Sequence, residues 1–258
     1  MTLRLQLSDA SSNLPTWFGD WETDFDYFGN GNFNGSLGSA GQFYAGGDPT
    51  YSPDDHNGES SVILNGTDFD YNQPGDFSGH PLSLELGKNL WQDLDHDLFK
   101  QDTALTITVD GGGDLPITDA FRYAIYGLSH GGQYEGYQPP SGPAFLGLTD
   151  YFAEQGTVQE GTPGNDTFLG FDGHDTFVFE NGGGVDHVAN FDVAQDVLDV
   201  SDWGVTDLSG LIITPFGGDT LISTTDFSNS AVLDAETPTL TSTNFNFAPA
   251  PALIPELA

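Results

Sequence analysis

Asp166 and Asp175 stand nine residues apart in matching surroundings. Gly161-Thr-Pro-Gly164-Asn-Asp166-Thr-Phe168-Leu runs directly into Gly170-Phe-Asp172-Gly173-His-Asp175-Thr-Phe177-Val. A looser third turn follows in Gly182-Gly183-Gly184-Val-Asp186-His-Val188. The glycines let the backbone turn tightly and aim carbonyl oxygens inward, and each Asp adds a hard carboxylate. The apolar position is buried inside a parallel β-roll. Calcium takes roughly six to eight such oxygens. Asp166, Asp172, Asp175 and Asp186 are the candidate calcium ligands. His174 and His187 fall outside the set, because calcium prefers oxygen. Two in-phase copies and a third fragment outweigh ordinary Asp-Gly turns.

A second constellation is Gly127-Leu-Ser129-His-Gly131, which fits the G-x-S-x-G nucleophile pattern. That chemistry needs a strand before the serine and a helix after it. Here an amphipathic pattern precedes the serine and Gly131-Gly132 breaks the chain beyond it. H-E-x-x-H, the mark of zinc proteases, is absent. The expectation is a protein that is not an enzyme.

The net charge is −35, with 39 acidic residues against Arg4, Lys88, Lys100 and Arg122. No cationic face can form to neutralise phosphates, which excludes nucleic acid and anionic membrane surfaces. There is no cysteine, so neither disulfides nor thiolate zinc sites exist. No apolar run approaches the roughly 18 residues of a membrane span, so no membrane insertion is expected. The opening segment alternates like a strand and lacks the apolar core of a cleavable export signal.

These residues must be positioned by elements that the pattern outlines. Leu14, Phe18, Trp21, Phe25 and Phe28 recur at helical spacing over 14–28, with Thr16 as a cap. A Gly/Ser/Asp-rich connection runs from there to about residue 60. Strands are expected at 61–64, 81–86 and 104–109. A second helix opens at Thr118-Asp119 and ends at Gly131. A third begins after Pro143 and is closed by Gly156. Strands covered by a few helices read as α+β. Composition then shifts to Asp, Gly, Thr and Asn with short β-branched runs. The expected domains are 1–156 and 157–258.

The nine-residue repeats resemble the calcium-binding repeats of RTX proteins, and Asn190-Phe-Asp-Val-Ala-Gln-Asp-Val-Leu-Asp-Val-Ser201 resembles the strands that close such rolls. The resemblance implies ions between alternate turns of the roll, which makes Asp166 facing Asp186 the leading calcium site, ahead of Asp172 and Asp175. It also implies a secreted, extracellular protein that leaves the cell through a type I export apparatus, read from an uncleaved C-terminus such as Leu253-Ile-Pro-Glu-Leu-Ala258.

The first part resembles secreted haemophores of the HasA type. The matching stretches are Phe18-Gly-Asp-Trp21-Glu-Thr-Asp-Phe25 with Phe43-Tyr44-Ala-Gly-Gly47; Ile63-Leu-Asn-Gly66-Thr-Asp-Phe69-Asp-Tyr71 with Pro81-Leu-Ser-Leu-Glu-Leu-Gly87; and Ala124-Ile-Tyr126-Gly-Leu128. The resemblance implies a curved antiparallel sheet packed on one side by helices, to which the all-β, short parallel β-roll is an addition. It implies capture of ferric haem b for iron acquisition, with an outer-membrane haem receptor as a further partner. By position, Tyr71 falls on the iron-ligating tyrosine, and phenolate is a hard anionic donor suited to ferric iron. The family's supporting histidine falls on a glycine or Asp76, with His80 the nearest histidine. Its second ligand falls on Asn30, a poor iron ligand, so Tyr71 alone or with water is expected, and His56 is a possible substitute. Tyr126 matches a residue lining the haem face. The alternative is a calcium-stabilised secreted adhesin without haem.

Overall fold

The computed structural model describes residues 1–26, 31–54, 57–73, 75–235 and 239–249. Leu3, Leu5 and Leu7 alternate with polar residues and bury on one face of strand β1 (Leu3–Leu7). The same period of two runs through β4 (Ser60–Asp70), β5 (Ser78–Asp93) and β6 (Leu98–Val109). Val62, Leu64, Leu84, Leu86, Leu105 and Ile107 fill the main core, whereas Ile63, Leu90 and Phe99 form a small cluster of their own with Tyr44. Successive side chains on a strand face opposite sides, which puts that cluster on the reverse of the sheet. With β2 (Asn32–Asn34) and β3 (Ala40–Gly46) the antiparallel order is β1-β6-β5-β4-β3-β2. Strand β3 lies where the sequence suggests only a polar connection. Buried Phe43 and Ala45 and antiparallel pairing with β4 override the local glycine content.

Three helices close the main core. In α1 (Leu14–Thr23) the cap is Asn13 rather than Thr16: its side chain accepts the Thr16 amide at 3.2 Å. Trp21 is fully buried and donates from Nε1 to the Gly87 carbonyl at 2.8 Å, pinning the helix to β5. The helix ends at Thr23 with Asp24 as its C-cap, short of the expected end at residue 28: the Asp24 amide still bonds the Asp20 carbonyl, but the Phe25 amide turns back to that of Glu22. Phe28 lies outside the described residues. Helix α2 (Asp119–Ser129) starts as predicted, with Thr118 Oγ1 accepting the Phe121 amide. Helix α3 (Leu148–Gln155) begins later than Pro143 suggests. The preceding segment bonds elsewhere: the Phe145 amide donates to the Tyr137 carbonyl and the Leu148 amide to that of Tyr134. A Cβ at Gly147 would stand 2.3 Å from the Gly136 nitrogen, so glycine permits this approach. No helix among the described residues is long and apolar enough to cross a membrane.

After α3 the chain winds between two sheets. Strands β7 (Thr157–Glu160), β9 (Asp175–Val178), β11 (Val197–Asp199) and β15 (Phe245–Asn246) lie parallel in one. Strands β8 (Thr167–Leu169), β10 (Val185–Ala189) and β14 (Ser230–Leu233) lie parallel in the other. Phe168, Phe177, Val188 and Leu198 are fully buried in this part. An antiparallel hairpin, β12 (Leu211–Phe216) and β13 (Asp219–Thr224), extends the second sheet beyond β14. The molecule is α+β, mostly sheet, with no closed barrel among the described residues. The roll is not a separate layer: β7 pairs in parallel with β1, Leu3 opposite Thr157, so one ten-stranded sheet runs through both parts.

That junction carries one of the few cations. Arg4 on β1 donates to Glu160 at the end of β7 and to Asp110 just beyond β6, the latter at 2.5 Å. Lys88 pairs with Asp24, Lys100 with Asp93 and Arg122 with Asp119, so every basic side chain is engaged by an acid. The Arg4 pairs are about a third exposed, and such ion pairs contribute roughly 0–1 kcal/mol. Arg4→Ala is expected to cost about 1 kcal/mol in urea unfolding at low salt, shrinking at high salt; an unchanged midpoint would remove the junction's electrostatic role.

Candidate functional site

Strand β4 delivers Tyr71 to its C-terminal end, where the strand leaves the sheet after the Asp70–Ser78 pair. The ring is half buried against the core, with its centroid 6.3 Å from that of Phe77. Burial holds the phenol well above its ordinary pKa, and the neighbouring Tyr126 phenol adds to the effect; no hydrogen bond from the described residues contributes. The loop after Tyr71 lies on α2: a Cβ at Gly75 would meet the Tyr123 ring at 3.0 Å, and Arg122 donates to the Phe77 carbonyl.

Tyr123 and Tyr126 on α2 and His130, its C-cap, meet Tyr137 and Phe145 from the segment before α3. Tyr126 stacks on His130 at 3.9 Å and Tyr123 on Phe145 at 4.8 Å, while Tyr137 meets Tyr126 edge-on at 5.3 Å. These rings are half buried. Helix α2 and the β4–β5 loop therefore bring Tyr71 and Tyr126 to one aromatic wall. A half-buried phenol of this kind can bind a flat apolar ligand and offer one oxygen to a hard Lewis acid.

His80 goes elsewhere. It sits opposite Thr67, exposed, with Nδ1 2.8 Å from Asp114. Asp114 engages its Nδ1, and among the described residues no hydrogen bond joins His80 to Tyr71. Asn30 and His56 lie outside the described residues. The histidine of the wall is His130, whose Nδ1 is 2.7 Å from the Tyr126 carbonyl and whose pKa is lowered by burial. Its sequence signal is the four-residue step from Tyr126 on one helix face. Ser129, the serine of the G-x-S-x-G match, is buried in the last turn of α2 and bonds the Tyr126 carbonyl. A helix stands where that motif requires a strand.

In the roll, Asp166, Asp175 and Asp186 are all 5 % exposed or less. The Asp166 amide donates to Asp186 Oδ1 at 3.0 Å, so these two meet across β8 and β10. Asp175 does not join them. Its amide donates to Asp196 Oδ1 at 3.0 Å, across β9 and β11 in the other sheet. Asp196 is buried too, and sequence reading missed it because its spacing breaks the nine-residue period. A local signal identifies it: the amide four residues earlier donates to three of the four aspartates, Thr162 to Asp166, Phe171 to Asp175 and Asp192 to Asp196, while that of Gly182 goes to Asn229 rather than to Asp186. Asp172 is exposed and lines a cleft of about 420 Å³ with Pro15, Asp150 and Phe171, apart from both carboxylate pairs.

Burial pushes Asp186 up to about 7 and Asp196 up to about 6, opposed by one backbone amide hydrogen bond at Asp186 and two at Asp196, and assisted by the partner aspartate. Burial also raises Asp166 and Asp175. No lysine or arginine follows Arg122 to offset these charges. The donor set is oxygen, each carboxylate keeps lone pairs free beyond its amide bonds, and the groups are destabilised as bare anions. That combination fits calcium.

No protein-family model matches the chain, and no curated protein matches it. Among solved structures, the apo hemophore HasA from Yersinia pestis aligns at 16 % identity with a TM-score of 0.42, over 62 % of this chain and all of that one. A subunit of the mannuronan C5-epimerase from Azotobacter vinelandii aligns at 28 % identity with a TM-score of 0.30, over 38 % of this chain and 74 % of that one.

Proposed function

We propose that this protein is a non-catalytic, extracellular haem carrier that holds ferric haem through the Tyr71 phenolate and is stabilised by calcium bound at Asp166–Asp186 and Asp175–Asp196. In this reading residues 1–156 take the haem, 157–258 form the calcium-ordered roll used in export, and the captured iron passes to an outer-membrane receptor. The observation that carries it is the Tyr71 phenol, half buried beside Tyr126 and, among the described residues, free of hydrogen bonds that would commit its oxygen. Tyr126, with His130 stacked on it, supports the reading as one face of the ring site. The haem propionates face water, where screening confines the repulsion from the acidic surface to about 8 Å at physiological salt.

Hemin titration of the calcium-loaded protein is the test. A haem carrier develops a sharp Soret band at one equivalent together with tyrosinate-to-iron charge-transfer absorption. Broad, unsaturable absorption without that band would leave the adhesin reading in its place.

A further inference from the structure

The outer face of the second sheet gathers three side chains that neither carboxylate pair uses. Asp186 and Val188 on β10, Ala231 and Leu233 on β14, and Thr220 and Ile222 on β13 point inward and are buried. By alternation His187, Asp234 and Asp219 point outward, and all three are at least partly accessible. The β13–β14 register sets Thr220 opposite Leu233, so Asp219 and Asp234 come next as directly facing like charges. Such a pair is destabilising on its own, and no lysine or arginine lies in this half of the chain to relieve it. Strand β10 brings an imidazole to the same place: His187 Nε2 is 2.9 Å from Asp234 Oδ1. One ligand atom from each of the three lies within 4.8 Å of the others.

We propose that His187, Asp219 and Asp234 form a site for a divalent transition metal of the zinc class, distinct from the oxygen-only calcium positions. The imidazole decides the metal. Calcium favours an all-oxygen shell, whereas zinc takes one nitrogen and two carboxylate oxygens at about 2.0–2.2 Å and leaves a position for water. Binding replaces the His187–Asp234 hydrogen bond. Nε2 gives its lone pair to the ion: in a neutral ring its proton moves to Nδ1 by tautomerisation, in a protonated ring it leaves to solvent, and in both cases Nδ1 then carries the single ring N–H. The ion ties the β12–β13 hairpin to the strand whose inward face carries Asp186, so a single strand serves oxygen chemistry inside and nitrogen chemistry outside.

The test is zinc titration of the full chain already saturated with calcium, followed by calorimetry and by imidazole nitrogen resonances. The expected result is one equivalent beyond calcium, with the resonances of His187 alone, among six histidines, perturbed. Loss of an orienting partner typically costs a metal site about 10–100-fold in affinity, and loss of a ligand costs no less. His187→Ala and Asp219→Asn should therefore each weaken zinc by about tenfold or more while calcium still binds. The proposal is overturned if calcium-loaded protein takes no zinc, if both variants bind it as tightly as the parent, or if another histidine carries the perturbation. The imidazole readout in the unmodified protein stands whether or not the variants fold.

Discussion

Tyr71→Phe should abolish the tyrosinate charge-transfer band and weaken ferric haem by at least about 100-fold, since an axial ligand matters no less than the groups that orient one. The substitution removes one oxygen and keeps the ring that packs toward Phe77, so stability should move by less than about 1 kcal/mol. Affinity loss and fold loss are thus separable in a single variant. Proton linkage gives a second readout. The ligand-free phenol is neutral, held so by burial and by Tyr126, and iron can take it only as phenolate. Binding therefore releases one proton, and affinity should fall about tenfold for each pH unit lost. A pH-independent affinity, or a Tyr71→Phe variant that binds as well as the parent, would remove Tyr71 from the iron.

The roll was readable because its signal is local and periodic: Gly, Asp and Phe recur nine residues apart, and Phe168 and Phe177 are indeed buried. What escaped is non-local. Nothing near Leu3 announces that it will lie opposite Thr157, because a parallel pairing between segments so distant in the chain leaves no mark in either beyond apolar alternation. The β12–β13 hairpin escaped for a similar reason, since its β-branched run reads equally well as another turn of roll. Among the residues of the aromatic wall, Tyr71 and Tyr126 are singled out by resemblance, whereas the sequence presents His130 only within a serine motif. The chemistry of its helix face emerges once Tyr137 and Phe145 are folded against it. His80 misled because nearness in sequence hid Asp114, which the fold brings up from 34 residues away.

Calcium and pH should act on the roll in opposite senses, and Asp186→Asn should expose both. The carboxylates of Asp186 and Asp196 titrate at about 7 and about 6 in the fold, against 3.8 for the free group, chiefly because they are buried. Without metal the folded chain therefore holds protons that the unfolded chain has already released. The stability this gives is fully present below about pH 4 and is lost as pH rises through 6 and then 7. Calcium-free protein should thus melt higher at pH 5 than at pH 8, the reverse of ordinary acid denaturation. Relief of self-repulsion in a chain of net charge −35 works in the same direction. Millimolar calcium should raise the pH 8 melting point most, because bound ions do there what protons do at pH 5. Asn at 186 keeps an oxygen for the Asp166 amide and discards the buried charge. The variant should be more stable than the parent in EDTA at pH 8, by on the order of 2–4 kcal/mol, and less stable in calcium. A structural aspartate with no metal to meet would lose stability in both solutions, so the change of sign between them separates a calcium ligand from a loop-capping carboxylate. Because β7 is hydrogen-bonded to β1, the calcium-dependent loss should also loosen β1, three strands from the β4 that positions Tyr71, and haem affinity measured with and without calcium reports how far that loosening travels.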